Sequence, residues 1–289
     1  MLFPFSLFLR DRTMPELPEA EVVVQQLQNG LLDSTVIDLW IGRADIVREG
    51  YSTRAWYVNS RLSSVARCGK SVAMGFQKAG EMRYVVAELG MTGLLLFPSA
   101  KIKHLRHVHM RMTFTGGKET ELRYWNPRRF GRLSFFDRDG LDRYLERRFG
   151  CDPLSATPQE FAQRLGARRG RIKPLLMHQQ TIAGIGNIYA NEILFRAGLH
   201  PNVRANRLAS LRRDRLYHVM RNVLQEAIAC GGSSVRDFFA PDGTEGRYKR
   251  RHLVYGKEGQ PCPNGCGAVI RRLKGERSSF YCPRCQSFR

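Results

Sequence analysis

The chain has 289 residues, 43% of them hydrophobic, which suits two packed cores with a small appendage and excludes a largely disordered protein. Lysine and arginine number 47 against 26 aspartate and glutamate residues, a net charge of +21, so the expected partner is a polyanion and nucleic acid comes first. No apolar run approaches the roughly 18 residues of a membrane-spanning helix.

The first nine residues, Met1 to Leu9, are apolar but lack the basic start and small-residue cleavage site of a signal peptide, so an intracellular, cytoplasmic protein is expected. Met14-Pro15-Glu16-Leu17-Pro18-Glu19 follows. A proline behind a start methionine can become a free secondary amine next to a carboxylate, which is a nucleophile with an acid/base partner. Within a peptide bond its nitrogen has no lone pair to offer. The same stretch also reads as a plain helix start, with proline and acids in the first turn. Ala20, Val23, Val24 and Leu27 then recur at helical spacing until Asn29-Gly30.

From Thr35 to about Phe136 the texture changes to short runs of Val, Leu, Phe and Tyr between glycine turns. Alternation over residues 109–114, then Gly116-Gly117, then Glu121 to Trp125 predicts a hairpin. A β-sandwich or barrel with flanking helices is expected, followed by a linker at Phe149-Gly150-Cys151-Asp152-Pro153-Leu154. Thr157-Pro158-Gln159-Glu160 predicts a capped helix, and helical periodicity continues to about Cys230. Gly231-Gly232 ends it, and Ala240 to Arg251 reads as a mobile loop.

Seven cysteines suit a metal site in a reducing compartment better than a disulfide framework, and Cys68, Cys151 and Cys230 are scattered. The other four form two close pairs, Cys262 with Cys266 and Cys282 with Cys285, spaced so that two knuckles can aim four thiolates at one structural zinc ion. Basic residues interleaved with Phe280 and Tyr281 suit such a hairpin to a nucleic-acid groove. Three further stretches combine chemistry with local structure. Gly184-Ile185-Gly186-Asn187 enters a helix whose free N–H groups can hold an anion, with Lys173 upstream. Asn126-Pro127-Arg128-Arg129-Phe130-Gly131 sets cations beside an apolar wedge at a hairpin tip. Ala66-Arg67-Cys68-Gly69-Lys70-Ser71 offers another lysine.

Taken together and in this order, these pieces resemble the formamidopyrimidine-DNA glycosylase family, whose fold is shared with endonuclease VIII. The resemblance runs from Pro15 to Gln286. It implies an α+β multidomain protein: an N-terminal β-sandwich with flanking helices (14–148), a helix–two-turn–helix DNA-binding domain with a lesion loop (149–255) and a four-cysteine zinc ribbon (256–289), behind an extension (1–13) absent from the active protein. The implied activity is that of a monomeric, bifunctional glycosylase and lyase acting on damaged double-stranded DNA, with the oxidised purine flipped out of the helix. By the same resemblance Pro15 attacks the sugar C1′, Glu16 protonates the ring oxygen, and Glu19 lines the site. Lys70 holds a phosphate and assists the elimination steps. Met91, Arg128 and Phe130 fill the emptied position in the duplex. Lys173, Asn187 and Arg277 clamp the flanking phosphates, with Arg129 and His107 as further backbone contacts.

The chain departs from the family pattern in three places: the first cysteine pair has three intervening residues where two are usual, Phe149-Gly150-Cys151 replaces leucine-glycine-proline, and the extension precedes Met14. Leu17 and the Asn-Ile-Tyr-Ala-Asn-Glu wording favour the oxidised-purine branch over an endonuclease VIII-type enzyme for oxidised pyrimidines. A retained extension would leave a non-catalytic, zinc-dependent DNA-binding protein.

Overall fold

The computed structural model describes residues 14–101, 104–234, 238–275 and 277–286; the extension 1–13 lies outside them. Helix α1 (Leu17–Leu31) starts on a reciprocal capping box between Glu16 and Glu19, with Pro18 in its first turn. It runs one residue beyond Gly30, whose backbone carbonyl receives the amides of Lys118 and Glu119.

Nine strands follow: β1 (Thr35–Ile41), β2 (Val47–Glu49), β3 (Arg61–Cys68), β4 (Ser71–Lys78), β5 (Glu81–Glu88), β6 (Leu94–Leu96), β7 (Val108–Thr115), β8 (Glu121–Trp125) and β9 (Leu133–Phe136). They hydrogen-bond in the order β2-β9-β5-β4-β3-β1-β7-β8-β6. The expected sandwich is thus one sheet folded on itself, and β1 makes the corner. It pairs with β7 along its length through a bulge after Val36, and meets β3 only at Thr35. Both halves bury one core, in which Met74, Val85 and Phe135 join Leu95, Met112 and Tyr124 beneath α1. The expected hairpin is present, with β7 and β8 antiparallel.

Helix α2 (Arg138–Arg148) leads to the linker. Helices α3 (Pro158–Gly166), α4 (Ile172–Met177), α5 (Asn187–Ala197) and α6 (Ser210–Ala229) then build a second core, and α3 carries the capping box that Thr157 and Glu160 predict. This core extends into the ribbon through Ile270 and Phe280, around the short hairpin β10 (Arg271–Leu273) and β11 (Ser279–Tyr281). It also takes in Leu17 from the head of α1.

The stretch from Ala240 to Arg251 is a loop that closes in a 3-10 turn, and it and its neighbour Phe238 make defined contacts. Phe238 packs into the sheet core, the Phe97 amide donates to the Pro241 carbonyl at 2.8 Å, and the Asp242 amide donates to Gln26 Oε1 at 3.0 Å. Tyr248 is fully buried in a 3-10 turn. Phe238 just before the loop and Tyr248 within it pack into the two domain cores.

Candidate active site and zinc centre

Helix α5 has no capping side chain of its own, because its N-cap is Gly186. Glu16, from the far end of the chain, fills that role. Its Oε2 accepts from the amides of Gly186 at 2.7 Å and Tyr189 at 3.4 Å, and its Oε1 accepts from Ile188 at 2.9 Å. A carboxylate there meets both free N–H groups and the positive end of the helix dipole. Position 186 must be glycine, since a Cβ there would run into the Glu16 carboxyl and lie 2.7 Å from Lys70 Nζ.

Glu19 sits directly behind. Its Oε2 accepts from the Glu16 amide at 2.8 Å, and its Oε1 accepts at 2.6 Å from both the Tyr189 hydroxyl and the Ser233 amide. Both acids are almost wholly buried, and so is Pro15 beside them. Burial lifts the Glu16 carboxyl above its ordinary range against the pull of Lys70 and three amides. Burial, with the neighbouring Glu16 charge, raises Glu19 to about 7 despite its hydrogen bonds. Lys70 stands on the turn between β3 and β4, where Gly69 has φ +60°. Desolvation draws its ammonium down, Glu16 opposes this, and the charge of Arg277 adds to the lowering. Pro15, Glu16, Glu19, Lys70 and Arg277 therefore form one neighbourhood, with α5 as its floor.

A second group occupies two loops of the sheet domain. Buried Asn126 accepts on Oδ1 from the Arg129 amide at 3.0 Å and donates through Nδ2 to the Tyr124 hydroxyl at 3.0 Å. It thereby holds Arg129 at φ +54°. Gly131 fits against the Glu88 carbonyl and the Tyr124 hydroxyl with no room for a Cβ. On this base Arg128 lies 4.7 Å over the Phe130 ring and 3.9 Å from Met91 Sδ, while Phe130 is 53% exposed. A large aromatic held out into water by so rigid a turn is costly unless something covers it. Arg129 pairs with Asp45 at 3.3 Å. His107 lies near the surface, 6.0 Å from the Trp125 ring, whereas His109 is buried with Nε2 3.0 Å from the Asn126 carbonyl.

The four sulfurs of Cys262, Cys266, Cys282 and Cys285 lie within 4.8 Å of one another, with pairs at 3.5 and 3.7 Å. Disulfides need about 2.05 Å, whereas a tetrahedron of Zn–S bonds of about 2.3 Å has an edge near 3.8 Å. The residues fit one structural zinc ion. The longer first knuckle is absorbed by a turn in which the Gly265 amide bonds to the Cys262 carbonyl at 3.0 Å, with Gly265 at φ +66°.

Residues of α4 and α5 fasten the ribbon. Lys173 Nζ, buried, donates to the Ser278 carbonyl at 2.6 Å and to Ser279 Oγ at 3.0 Å. Asn191 Oδ1 accepts from the Phe280 amide at 2.7 Å, and its Nδ2 donates to the Asn187 carbonyl at 2.6 Å. Glu192 accepts from the amides of Leu253, Val254 and Tyr255 at 2.8 to 3.0 Å. Sequence reasoning singled out Asn187 and Lys173 but missed Tyr189, Asn191 and Glu192. The available signal was two polar residues in a helix whose neighbours, Ile188, Ala190, Ile193 and Leu194, are all apolar.

Three family models match in register with this architecture: the formamidopyrimidine-DNA glycosylase N-terminal domain over residues 14–133, its H2TH domain over 149–239, and the zinc finger found in FPG and IleRS over 259–287. These define a DNA glycosylase of the helix–two-turn–helix class with a zinc ribbon. Among curated relatives, the formamidopyrimidine-DNA glycosylase of Chloroflexus aurantiacus is 36% identical over 94% of this chain and 98% of its own, and that of Neisseria meningitidis is 34% identical over 94% and 100%. The crystal structure of the MutM (Fpg) protein from Thermus thermophilus superposes with a TM-score of 0.81 at 35% identity, covering 94% of this chain and 98% of that one. The Lactococcus lactis Fpg in complex with DNA containing an abasic site gives 0.81 at 29% identity, covering 94% and 99%. The chain belongs to the formamidopyrimidine-DNA glycosylase family and is a DNA glycosylase of base excision repair. Among the described residues no helix is long and apolar enough to cross a membrane.

Proposed function

We propose that this protein excises oxidised purines from duplex DNA and then cuts the abasic strand by successive β- and δ-elimination, using Pro15 as its nucleophile once the residues before it are removed. The observation that carries this reading is the enclosure of two carboxyl groups of raised pKa, Glu16 and Glu19, beside Pro15 and Lys70. A buried, protonated acid is what a leaving base and an opening sugar ring require.

The Pro15 nitrogen bonds to C1′ as the bond from C1′ to the base breaks; the base leaves with the bonding pair and takes up the proton that the nitrogen sheds. Glu16 gives its proton to the ring oxygen, and the opened sugar is left as an iminium. That cation acidifies the C2′ proton. Its loss expels the 3′ phosphate, and a second elimination expels the 5′ phosphate. Lys70, with its ammonium drawn down, is suited to take or return protons and to hold a phosphate. Met91, Arg128 and Phe130 occupy the gap left by the flipped nucleotide, with Phe130 as the wedge, a role that accounts for its exposure. Asn187, Lys173, Arg277, Arg129 and His107 lie along the phosphates. The protein works as a monomer in the cytoplasm.

Release of 8-oxoguanine opposite cytosine, compared with release of thymine glycol in single-turnover assays, tests the substrate. Faster release of the purine is expected; preference for the pyrimidine would replace this reading with an endonuclease VIII-type one. If the native protein kept Met1 and gave no borohydride-trapped covalent adduct with DNA, the non-catalytic DNA-binding reading would stand instead.

A further inference from the structure

Three segments of the helical domain, residues 164–171, 204–207 and 212–215, contain nine arginines and a single acid, Asp214. The fold brings them together. Helix α3 packs on α6 and on the turn at Ala205–Arg207. Arg171 and Arg204 form a β-bridge, and the Ala205 amide donates to the Gly170 carbonyl at 3.0 Å. All of these arginines are exposed except Arg213, which is partly buried. Its buried Nε has no hydrogen-bond partner among the described residues. No carboxylate pairs with Arg168, Arg169 or Arg207 there.

Such crowding of like charge opposes folding unless a polyanion meets it, and the guanidinium fork matches a phosphate better than an ammonium does. The surface begins at Arg171, two residues before Lys173, so it continues outward from the helix that reaches the ribbon. The arginines themselves offer charge and phosphate contacts; Leu211, 79% exposed, stands beside Arg212.

We propose that this arginine surface is a second, sequence-independent DNA contact, which engages duplex beyond the stretch held in the cleft. It rests on the DNA reading above but adds a site that excision itself does not need. Its contribution is electrostatic: it lengthens the footprint and holds the protein on DNA between lesions, at the cost of steep salt sensitivity.

The test uses the zinc-loaded protein and two duplex lengths, about 12 and about 30 base pairs, roughly 40 and 100 Å at 3.4 Å per pair, each made with a central abasic analogue for binding and with a central 8-oxoguanine for release. Arg168→Gln, Arg169→Gln and Arg207→Gln are combined. On the long duplex the slope of log affinity against log salt should shrink by about 2.7, at roughly 0.9 per lost contact. On the short duplex affinity, slope and single-turnover release should match wild type. Lysine at the same three positions should restore most of the long-duplex slope. An equal loss on both duplexes would make these arginines part of the cleft and overturn the proposal. So would an unchanged slope on the long duplex, including the case in which the variant loses only binding to phosphatidylglycerol vesicles. Failure of the wild type to release base from the short duplex would count against the site reading instead.

Discussion

Glu16 and Glu19 stand three residues apart at the head of α1, and both are sealed from water, yet their surroundings differ. Three amides hold Glu16 at the start of α5, whereas Glu19 shares its oxygens among the Glu16 amide, a tyrosine hydroxyl and the Ser233 amide. Replacing Glu16 with glutamine keeps the shape but removes the proton. Base release by Glu16→Gln should fall by roughly 10² to 10⁴-fold. Nicking of a pre-formed abasic site should fall much less, since that sugar already equilibrates with its open aldehyde and needs no proton delivered to the ring oxygen. Single-turnover assays on the two substrates check this, and equal losses would contradict it. For Glu19 the folded value of about 7 stands against an ordinary 4.5. A raised carboxyl binds its proton more tightly in the folded protein. Its stabilisation is therefore complete below pH 4.5 and is lost as pH rises through 7. At roughly 1.4 kcal/mol per tenfold change in proton affinity this is about 3 kcal/mol. Urea unfolding at pH 5 and pH 8 should show that loss in wild type and not in Glu19→Gln.

At the scale of elements, α5 does several jobs at once. Its first turn receives Glu16, Tyr189 reaches Glu19, Asn191 fixes the ribbon hairpin and Glu192 holds the turn at Leu253–Tyr255 that leads to it. Asn191→Ala would leave the buried Phe280 amide without an acceptor, at a cost of about 1–3 kcal/mol. Faster hydrogen exchange in residues 271–281, with the sheet domain unchanged, is the expected signature. The sequence shows such an element only in part. Its glycine entry and the capping boxes at Glu16 and Thr157 are local, as is the Gly116-Gly117 turn, so spacing reveals them. What Asn191 and Glu192 touch lies 61 to 89 residues away, and no local pattern carries that information. The anchoring of the loop from Ala240 to Arg251 is hidden for the same reason, because the contacts of Tyr248 and Pro241 belong to other elements.

Over the whole molecule, two cores meet at Leu17, whose amide donates to the Gly184 carbonyl at 2.9 Å. The proposed site is thereby assembled from both domains: Pro15, Glu16, Glu19 and Lys70 come from the sheet domain, and the amides that hold Glu16 come from the helical one. Nor does strand patterning reveal that β1 serves both halves of a single folded sheet, since that depends on a bulge and on pairing across the domain. A strand-rich first domain, a helical second one and the four-cysteine centre were legible from spacing, whereas the helix–two-turn–helix class came with the resemblance. The roles of Pro15 and its neighbours rested on resemblance, since a proline next to a glutamate is otherwise a helix start. The most direct test is borohydride reduction of the protein during reaction with duplex containing 8-oxoguanine, followed by peptide mapping of the trapped complex. The account predicts one covalent adduct, on the nitrogen of an N-terminal Pro15. An adduct on Lys70, or full activity from protein still carrying Met14, would contradict it.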